Sequence, residues 1–375
     1  MPRRGENIYR RKDGRWEARY ICGRKQGGEA RYKSVYASSY EKVKEKLKAV
    51  CKEQSCEKTP KAMTVEALCT QWLEDVKISL KPPSFAKYSN TVHTHIIPPF
   101  QGVKLRSITT SQVNAFIKEK SLFGRLDGKG GLSAKTVRDM ATLFKEILQY
   151  AVKKGYLTAF DFDFTLPKNA SKEVCVLTVS EQARLQSYIQ RNLDIEKLGV
   201  LLCLYTGIRI GELCALKWKN VDFEANIITV RKTLQRISNV EENAKTKTII
   251  TIDKPKSSHS IRNIPLPSFL KKTLKKYKIR YHPEAYVLTG EISRFVEPRL
   301  YEKWFKKYLQ ESKIEDVKFH VLRHTFATRA LEEGIDPKTL SEILGHSSTK
   351  FTMERYVHSS LELKKAGIEK LFAFY

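Results

Sequence analysis

The chain has 375 residues, more than one ordinary hydrophobic core accommodates, so two or three domains are expected. Its 69 lysines and arginines against 41 aspartates and glutamates leave a formal charge of +28, which calls for an anionic partner, nucleic acid first and an anionic membrane surface second. No run of about eighteen apolar residues is present to span a bilayer, and the basic start MPRRGENIYRR lacks the apolar run of a secretory signal, so a cytoplasmic protein is expected. Seven cysteines (Cys22, Cys51, Cys56, Cys69, Cys175, Cys203 and Cys214) are odd in number and sparse, which favours reduced thiols over a disulfide frame. Cys51 and Cys56 have no second Cys or His pair at zinc spacing, so no metal is expected.

In chain order, Asp13-Gly14 is a hairpin signal, and Trp16, Ala18 and Tyr20 alternate with Arg15, Glu17 and Arg19 as in a half-buried strand. Residues 30–36 alternate likewise, with Arg31 and Lys33 between Ala30, Tyr32 and Ser34. Ser38, with Glu41 three residues on, reads as the capping box of a helix whose stripe is Val43, Leu47 and Val50. The reading is a three-stranded sheet with one helix, over residues 1–58. Arg15, Arg19, Arg31 and Lys33 are expected on the sheet face away from the helix, either as a solvated face or as a surface entering a DNA groove; the net charge favours the second. After a polar linker, residues 63–157 read as a four-helix bundle. Pro82-Pro83 breaks the first helix from a second capped by Ser84, Thr109 or Thr110 opens a third, and Ser133 caps the longest. Lys87, Lys135 and Arg138, at or near helix starts, suit phosphate contacts, although any bundle has surface lysines.

Residues 158–174 lack periodicity, and alternating Phe160, Phe162 and Phe164 suggest a segment lying extended on a neighbouring surface. From residue 173 a mostly helical domain with a small antiparallel sheet follows. Thr178 and Glu181 form a capping box, and the apolar helix IEKLGVLLCLYTG leads to Arg209. Strand candidates are NIITVRKTLQRI, KTIITID and RNIPLP, with a basic turn before the last. Asp336-Pro337 starts a helix that ends at Gly345, directly before His346. Leu361, Ile368, Leu371 and Phe372 form the stripe of a tail helix. The whole reads as a multidomain α+β protein.

The chemistry concentrates between Phe319 and His358. A phosphodiester under attack spreads nearly two negative charges over its nonbridging oxygens, and guanidinium forks match that geometry. Arg209 and Arg323 are the candidates for such a clamp. His320, one turn before Arg323, and His346 are candidate donors to the same phosphate. Tyr356 is the candidate nucleophile, a weak one near its ordinary pKa of about 10 unless cations or a base assist. The departing deoxyribose oxygen needs a proton, for which Lys256 on the basic turn is the choice. Each residue alone has a plainer explanation: His-x-x-Arg is a common surface pair, Tyr356 is one of 17 tyrosines, and Arg209 could simply pair with Glu212. Together, in this order and on this charge, they point to metal-free phosphoryl transfer on nucleic acid.

These motifs resemble the tyrosine recombinase (phage integrase) family, above all integrases of conjugative transposons and temperate phages of Gram-positive bacteria. The pattern is carried by Thr206-Gly207, Arg209, Glu212 and Leu216; by Lys256 ahead of Ile264-Pro265-Leu266; by His320, Leu322, Arg323, His324, Thr325, Ala327 and Thr328; by Leu344 to Ser348 around His346; and by Arg355-Tyr356-Val357-His358. Lys254 remains open against Lys256. The resemblance implies a tyrosine recombinase fold: an arm-site domain at 1–58, a core-site-binding bundle at 63–157 and a catalytic domain at 173–375. It implies strand exchange through a 3′-phosphotyrosine and a Holliday junction, with no cofactor. Implied partners are double-stranded DNA core and arm sites, three further copies of the chain in a tetramer that exchanges tail helices, and an accessory excision factor. A type IB topoisomerase and a non-catalytic DNA-binding regulator are the competing readings.

Overall fold

The computed structural model describes residues 7–24, 30–57, 63–157, 160–168, 174–241, 244–253, 260–346 and 348–356, with side chains at all of these except 22–24, 30–31 and 51–57. Lys254, Lys256 and the tail-helix residues Leu361, Ile368, Leu371 and Phe372 fall outside this set. The chain divides into two compact units, Met1–Ala170 and Ser171–Tyr375.

The first unit begins with antiparallel strands β1 (Ile8–Arg10), β2 (Trp16–Arg24) and β3 (Ala30–Ala37), followed by helix α1 (Tyr40–Glu57). Ser39, not Ser38, caps α1, its hydroxyl accepting from the Lys42 amide at 3.3 Å. Ile8, Ala18 and Val43 form the small core, with Trp16 edge-on to Tyr40 at 5.3 Å. The strand register corrects one expectation. Lys33 stands opposite Tyr20, and Ala18 opposite Val35, so Lys33 shares the helix-side face rather than the open one. Arg15 and Arg19 do project from the open face, over the rings of Tyr36 and Tyr9 at 5.8 and 5.5 Å. The Arg31 side chain lies outside the described residues.

The bundle consists of α2 (Val65–Lys77), α3 (Pro82–Thr91), α4 (Thr110–Phe123) and α5 (Ala134–Lys153). It buries a core of its own, including Leu68, Val92, Ile96, Phe116, Met140, Phe144 and Leu148. Pro82 and Pro83 occupy the first turn of α3 instead of preceding it, and Lys81, not Ser84, is the capping position. A proline costs nothing there, because the first amides of a helix have no intrahelical partner. Thr109 and Ser133 cap α4 and α5 through their hydroxyls. Phe160, Phe162 and Phe164 pack against this core, and the Thr110 hydroxyl donates to the Asp161 carbonyl at 2.7 Å, so the extended segment does lie on a neighbouring surface.

The second unit is built on α6 (Val179–Arg191), α7 (Ile195–Thr206), α8 (Ile210–Cys214), α9 (Ser268–Lys278), α10 (Pro298–Glu311), α11 (His320–Glu332), α12 (Pro337–Leu344) and α13 (Thr349–Tyr356). Strands β4 (Val221–Asp222), β5 (Ile227–Val230) and β8 (Arg262–Pro265) make one antiparallel sheet; β6 (Thr233–Ser238) and β7 (Thr248–Asp253) make a separate hairpin. The segment expected as one strand, NIITVRKTLQRI, is therefore two strands in two sheets. The apolar α7 runs through the core, which explains why its sequence is hydrophobic on every side. Cys69, Cys203 and Cys214 are buried free thiols, and Cys175 is an exposed one. No helix of the described residues is long and apolar enough to cross a membrane.

Candidate active site

Two left-handed glycines position the two arginines expected to form the clamp. Gly207 ends α7 at φ +64, where an added Cβ would lie 2.6 Å from the Phe326 ring and 2.7 Å from Leu344. Only glycine combines that backbone with that crowding. Two residues later Arg209 starts α8. Gly345 ends α12 at φ +65 and is followed by His346. The two arginines cross-brace these turns. Arg323 donates to the Gly207 carbonyl at 2.7 Å and to the Leu344 carbonyl at 2.7 Å, while Arg209 donates to the Gly345 carbonyl at 3.1 Å. A guanidinium presents five donors, so each can hold its scaffold and still offer N–H groups to a ligand.

Arg323 is 2 % exposed. Burial, then the neighbouring Arg209, lowers its guanidinium to about 9, which leaves it charged at neutral pH. Arg209 is half-buried and pairs with Glu212, as the plainest sequence reading had it. Glu212 accepts from the Arg209 side chain at 2.8 Å and from its backbone amide at 3.0 Å. The same carboxylate, 3 % exposed, takes a two-pronged contact from Arg262 at 3.0 and 2.8 Å. Burial alone would raise the Glu212 carboxyl; the hydrogen bonds and charge of Arg262, with Arg209, outweigh it and hold it below the ordinary range. Arg262 also donates to the carbonyls of Ile343 at 2.6 Å and Ser260 at 3.2 Å.

The three described imidazoles of the site, His320, His324 and His346, are held neutral. His346 Nε2 lies 2.9 Å from an Arg323 nitrogen, which can only donate, so Nε2 accepts and the Nδ1 hydrogen goes to the Thr352 hydroxyl at 2.8 Å. Burial, then Arg323 and Arg209, drives His346 down to about 3. His320, an exposed residue, has its ring edge-on to His324 at 4.6 Å. Desolvation of that ring, then Arg323, Arg209 and Arg355, lowers it to about 4.

Tyr356, the last residue of α13, is 7 % exposed and sits in a small apolar cluster with Ala327, Ala330, Leu340 and Leu344. Its ring is parallel to that of His346, 6.4 Å between centroids. Its hydroxyl is 2.6 Å from Nδ1 of His324. Burial raises the phenol above its ordinary pKa, while Arg323, Arg355 and Arg209 pull it the other way. Five of the six expected residues, Arg209, His320, Arg323, His346 and Tyr356, thus belong to one cluster; Lys256, like its alternative Lys254, lies outside the described residues.

Reading the sequence missed Arg262 and assigned His324 no task. The signal for Arg262 was present: it is in phase with buried Ile264 on β8, so the two-residue period places it inward. The candidate DNA contacts of the bundle are surface side chains. Lys87 pairs with Asp139 at 3.0 Å, Arg138 donates to the Pro167 carbonyl at 3.1 Å, and Lys135 is exposed on the first turn of α5.

Residues 176–362 match the phage integrase family, and residues 64–121 match its N-terminal SAM-like domain. A XerC-like tyrosine recombinase of Caldanaerobacter subterraneus is 30 % identical over 338 residues, 82 % of this chain and 83 % of that protein. The chain belongs to the phage integrase family. It is a tyrosine recombinase, an enzyme that breaks and rejoins DNA strands. The recombinase also has the fold of the Tn1549 transposon integrase solved with a circular intermediate DNA, at TM-score 0.66 and 22 % identity over 82 % of this chain and 99 % of that one. A λ integrase tetramer bound to a Holliday junction aligns at TM-score 0.55 and 17 % identity, covering 95 % and 98 %. The topoisomerase and regulator readings are set aside by these relatives.

Proposed function

We propose that this recombinase cuts DNA by attack of the Tyr356 hydroxyl on a scissile phosphate held by Arg209 and Arg323. The observation that supports it is a buried phenol within electrostatic reach of both guanidiniums in one unit, beside neutral imidazoles. The Oη–P bond forms, the P–O5′ bond breaks, and the phenol proton is released to solvent. The departing 5′ oxygen takes a proton from Lys256, or from Lys254 if the turn presents that residue. The nonbridging oxygens gain charge that the remaining guanidinium N–H groups stabilise, which is the largest share of such catalysis. His346 keeps Arg323 in place, and His320 completes the phosphate contacts. The phosphotyrosine conserves the bond energy, so attack by a second strand's 5′ hydroxyl reverses the step without ATP.

Site-specific exchange follows by the same reading. Four copies assemble on two core sites, trade strands through a Holliday junction, and pass the tail helix between neighbours. Residues 63–157 and 173–375 grip the core site, while the sheet of residues 1–58 reads distal arm sites with Arg15 and Arg19; an accessory factor biases excision. The cations of this sheet and bundle supply the sequence-independent phosphate attraction. The deciding experiment is Tyr356→Phe on a nicked suicide duplex. Loss of the covalent adduct with DNA binding retained is expected, and an adduct that persists overturns the assignment.

A further inference from the structure

One buried imidazole beside the reacting atoms has no task in that scheme. His324 directly follows Arg323 on α11 and is 8 % exposed. Its Nδ1 stands 2.6 Å from the Tyr356 hydroxyl, and its ring is tilted 50° to the phenol ring, 5.5 Å between centroids. A neutral imidazole has one lone pair to offer, and the phenol hydrogen meets no other acceptor among the described residues, so the bond runs from Oη–H to Nδ1. The surroundings keep it that way. Burial first, then the neighbouring His320 ring and the charges of Arg355 and Arg323, holds His324 down to about 3, so it stays neutral over the whole working range.

We propose that His324 is a positioning residue for the nucleophile: by accepting the hydroxyl hydrogen at Nδ1 it fixes the rotation of the phenol C–O–H group and with it the direction of the attacking lone pair. This rests on the reading of Tyr356 as nucleophile. The alternative role, storing the phenol proton, faces a wide gap, because burial holds the phenol above its ordinary value while this imidazole lies down at about 3. The same gap explains why a hydrogen bond forms without proton transfer. A fixed hydroxyl spares the attack the search over rotations that a loose phenol makes, and small misplacements of reacting groups are costly.

The test compares single-turnover adduct formation on a nicked suicide duplex by the full chain and three variants. His324→Asn places a carbonyl oxygen near the Nδ1 position, His324→Gln places it near Nε2, and His324→Leu removes the acceptor. Gel-shift affinity and thermal midpoint are measured for each. Leu and Gln are expected to slow adduct formation by about 10- to 100-fold with DNA affinity kept. Asn is expected to recover most of the rate, with the wild-type pH profile from about pH 6 to 9, because it supplies an acceptor without basicity. A wild-type rate in the Leu variant overturns the proposal, as does a faster one, which would make the contact a restraint. Asn as slow as Leu overturns it too, since basicity would then be required. If the Leu variant does not fold, the Asn and Gln pair carries the comparison alone. Tyr356→Phe in the same assay separates the two readings. An adduct there removes the nucleophile assignment itself, whereas no adduct there with wild-type rates in all His324 variants removes only His324.

Discussion

Arg262→Met is the sharpest probe of how the clamp is held. The substitution keeps an apolar stem of similar reach and deletes the two contacts to Glu212 and those to the Ile343 and Ser260 carbonyls. Glu212 keeps Arg209 but loses the nearly buried partner of its two-pronged contact. Removing one partner of a buried ion pair costs about 3–5 kcal/mol, far above an exposed pair, because the remaining charge stays desolvated. The Ile343 carbonyl lies three residues before His346, so that turn should loosen as well. Urea unfolding of the second unit's transition measures the cost. Glu212→Gln combined with Arg262→Met should cost less than the sum of the singles, since the double variant buries no uncompensated charge. An Arg262→Met transition within about 1 kcal/mol of wild type, or strict additivity of the pair, would refute the reasoning.

Other consequences follow from the same geometry. Arg209→Lys should leave duplex affinity nearly intact yet cut adduct formation by about 10²- to 10³-fold, because a point charge cannot serve Glu212, Gly345 and a phosphate together; near-wild-type cleavage would contradict this. His320, His324 and His346 have folded pKa values near 4, 3 and 3, below the unfolded value near 6.5. The unfolded chain therefore binds more protons as the pH falls, and stability should drop progressively from about pH 6.5 downward. For nearly buried His324 the loss at pH 5 is at most about 2 kcal/mol. Thermal midpoints from pH 8 to 5 check the sign, and His324→Asn should flatten the slope; an unchanged slope speaks against a neutral buried His324. Replacing Arg15 and Arg19 by Ala should weaken binding to distal sites, spare the core site, and reduce the salt slope by roughly one for each lost phosphate contact. Equal loss at both sites would contradict the two-site reading.

The sequence by itself determined a good deal here. Caps such as Ser133, Thr109 and Thr178, apolar stripes, and glycines at helix ends are local signals, read within one or two turns of chain, and they located most helices. The site motifs were legible for a related reason. Arg323 and His320 lie one turn apart on a single helix, and Gly345 and His346 are neighbours, so their joint presentation follows from helix geometry alone. Where local signals compete, single residues misled: proline is tolerated in a first helical turn as readily as before it, and a one-residue shift of strand phase moves Lys33 to the opposite face.

Only the tertiary structure decided which side chains meet across long stretches of chain. Arg262 lies 50 residues from Glu212, and Arg209 lies 136 from Gly345. No periodicity encodes such pairings, because they depend on how β8, α8 and the turn after α12 pack. The same holds for the phenol of Tyr356, which α13 folds back against His324 and His346. Charge and motif named the chemistry, but the environment that keeps His324 and His346 neutral and holds two guanidiniums on the Gly207, Leu344 and Gly345 carbonyls is a property of packing, which arises only when distant segments exclude water together.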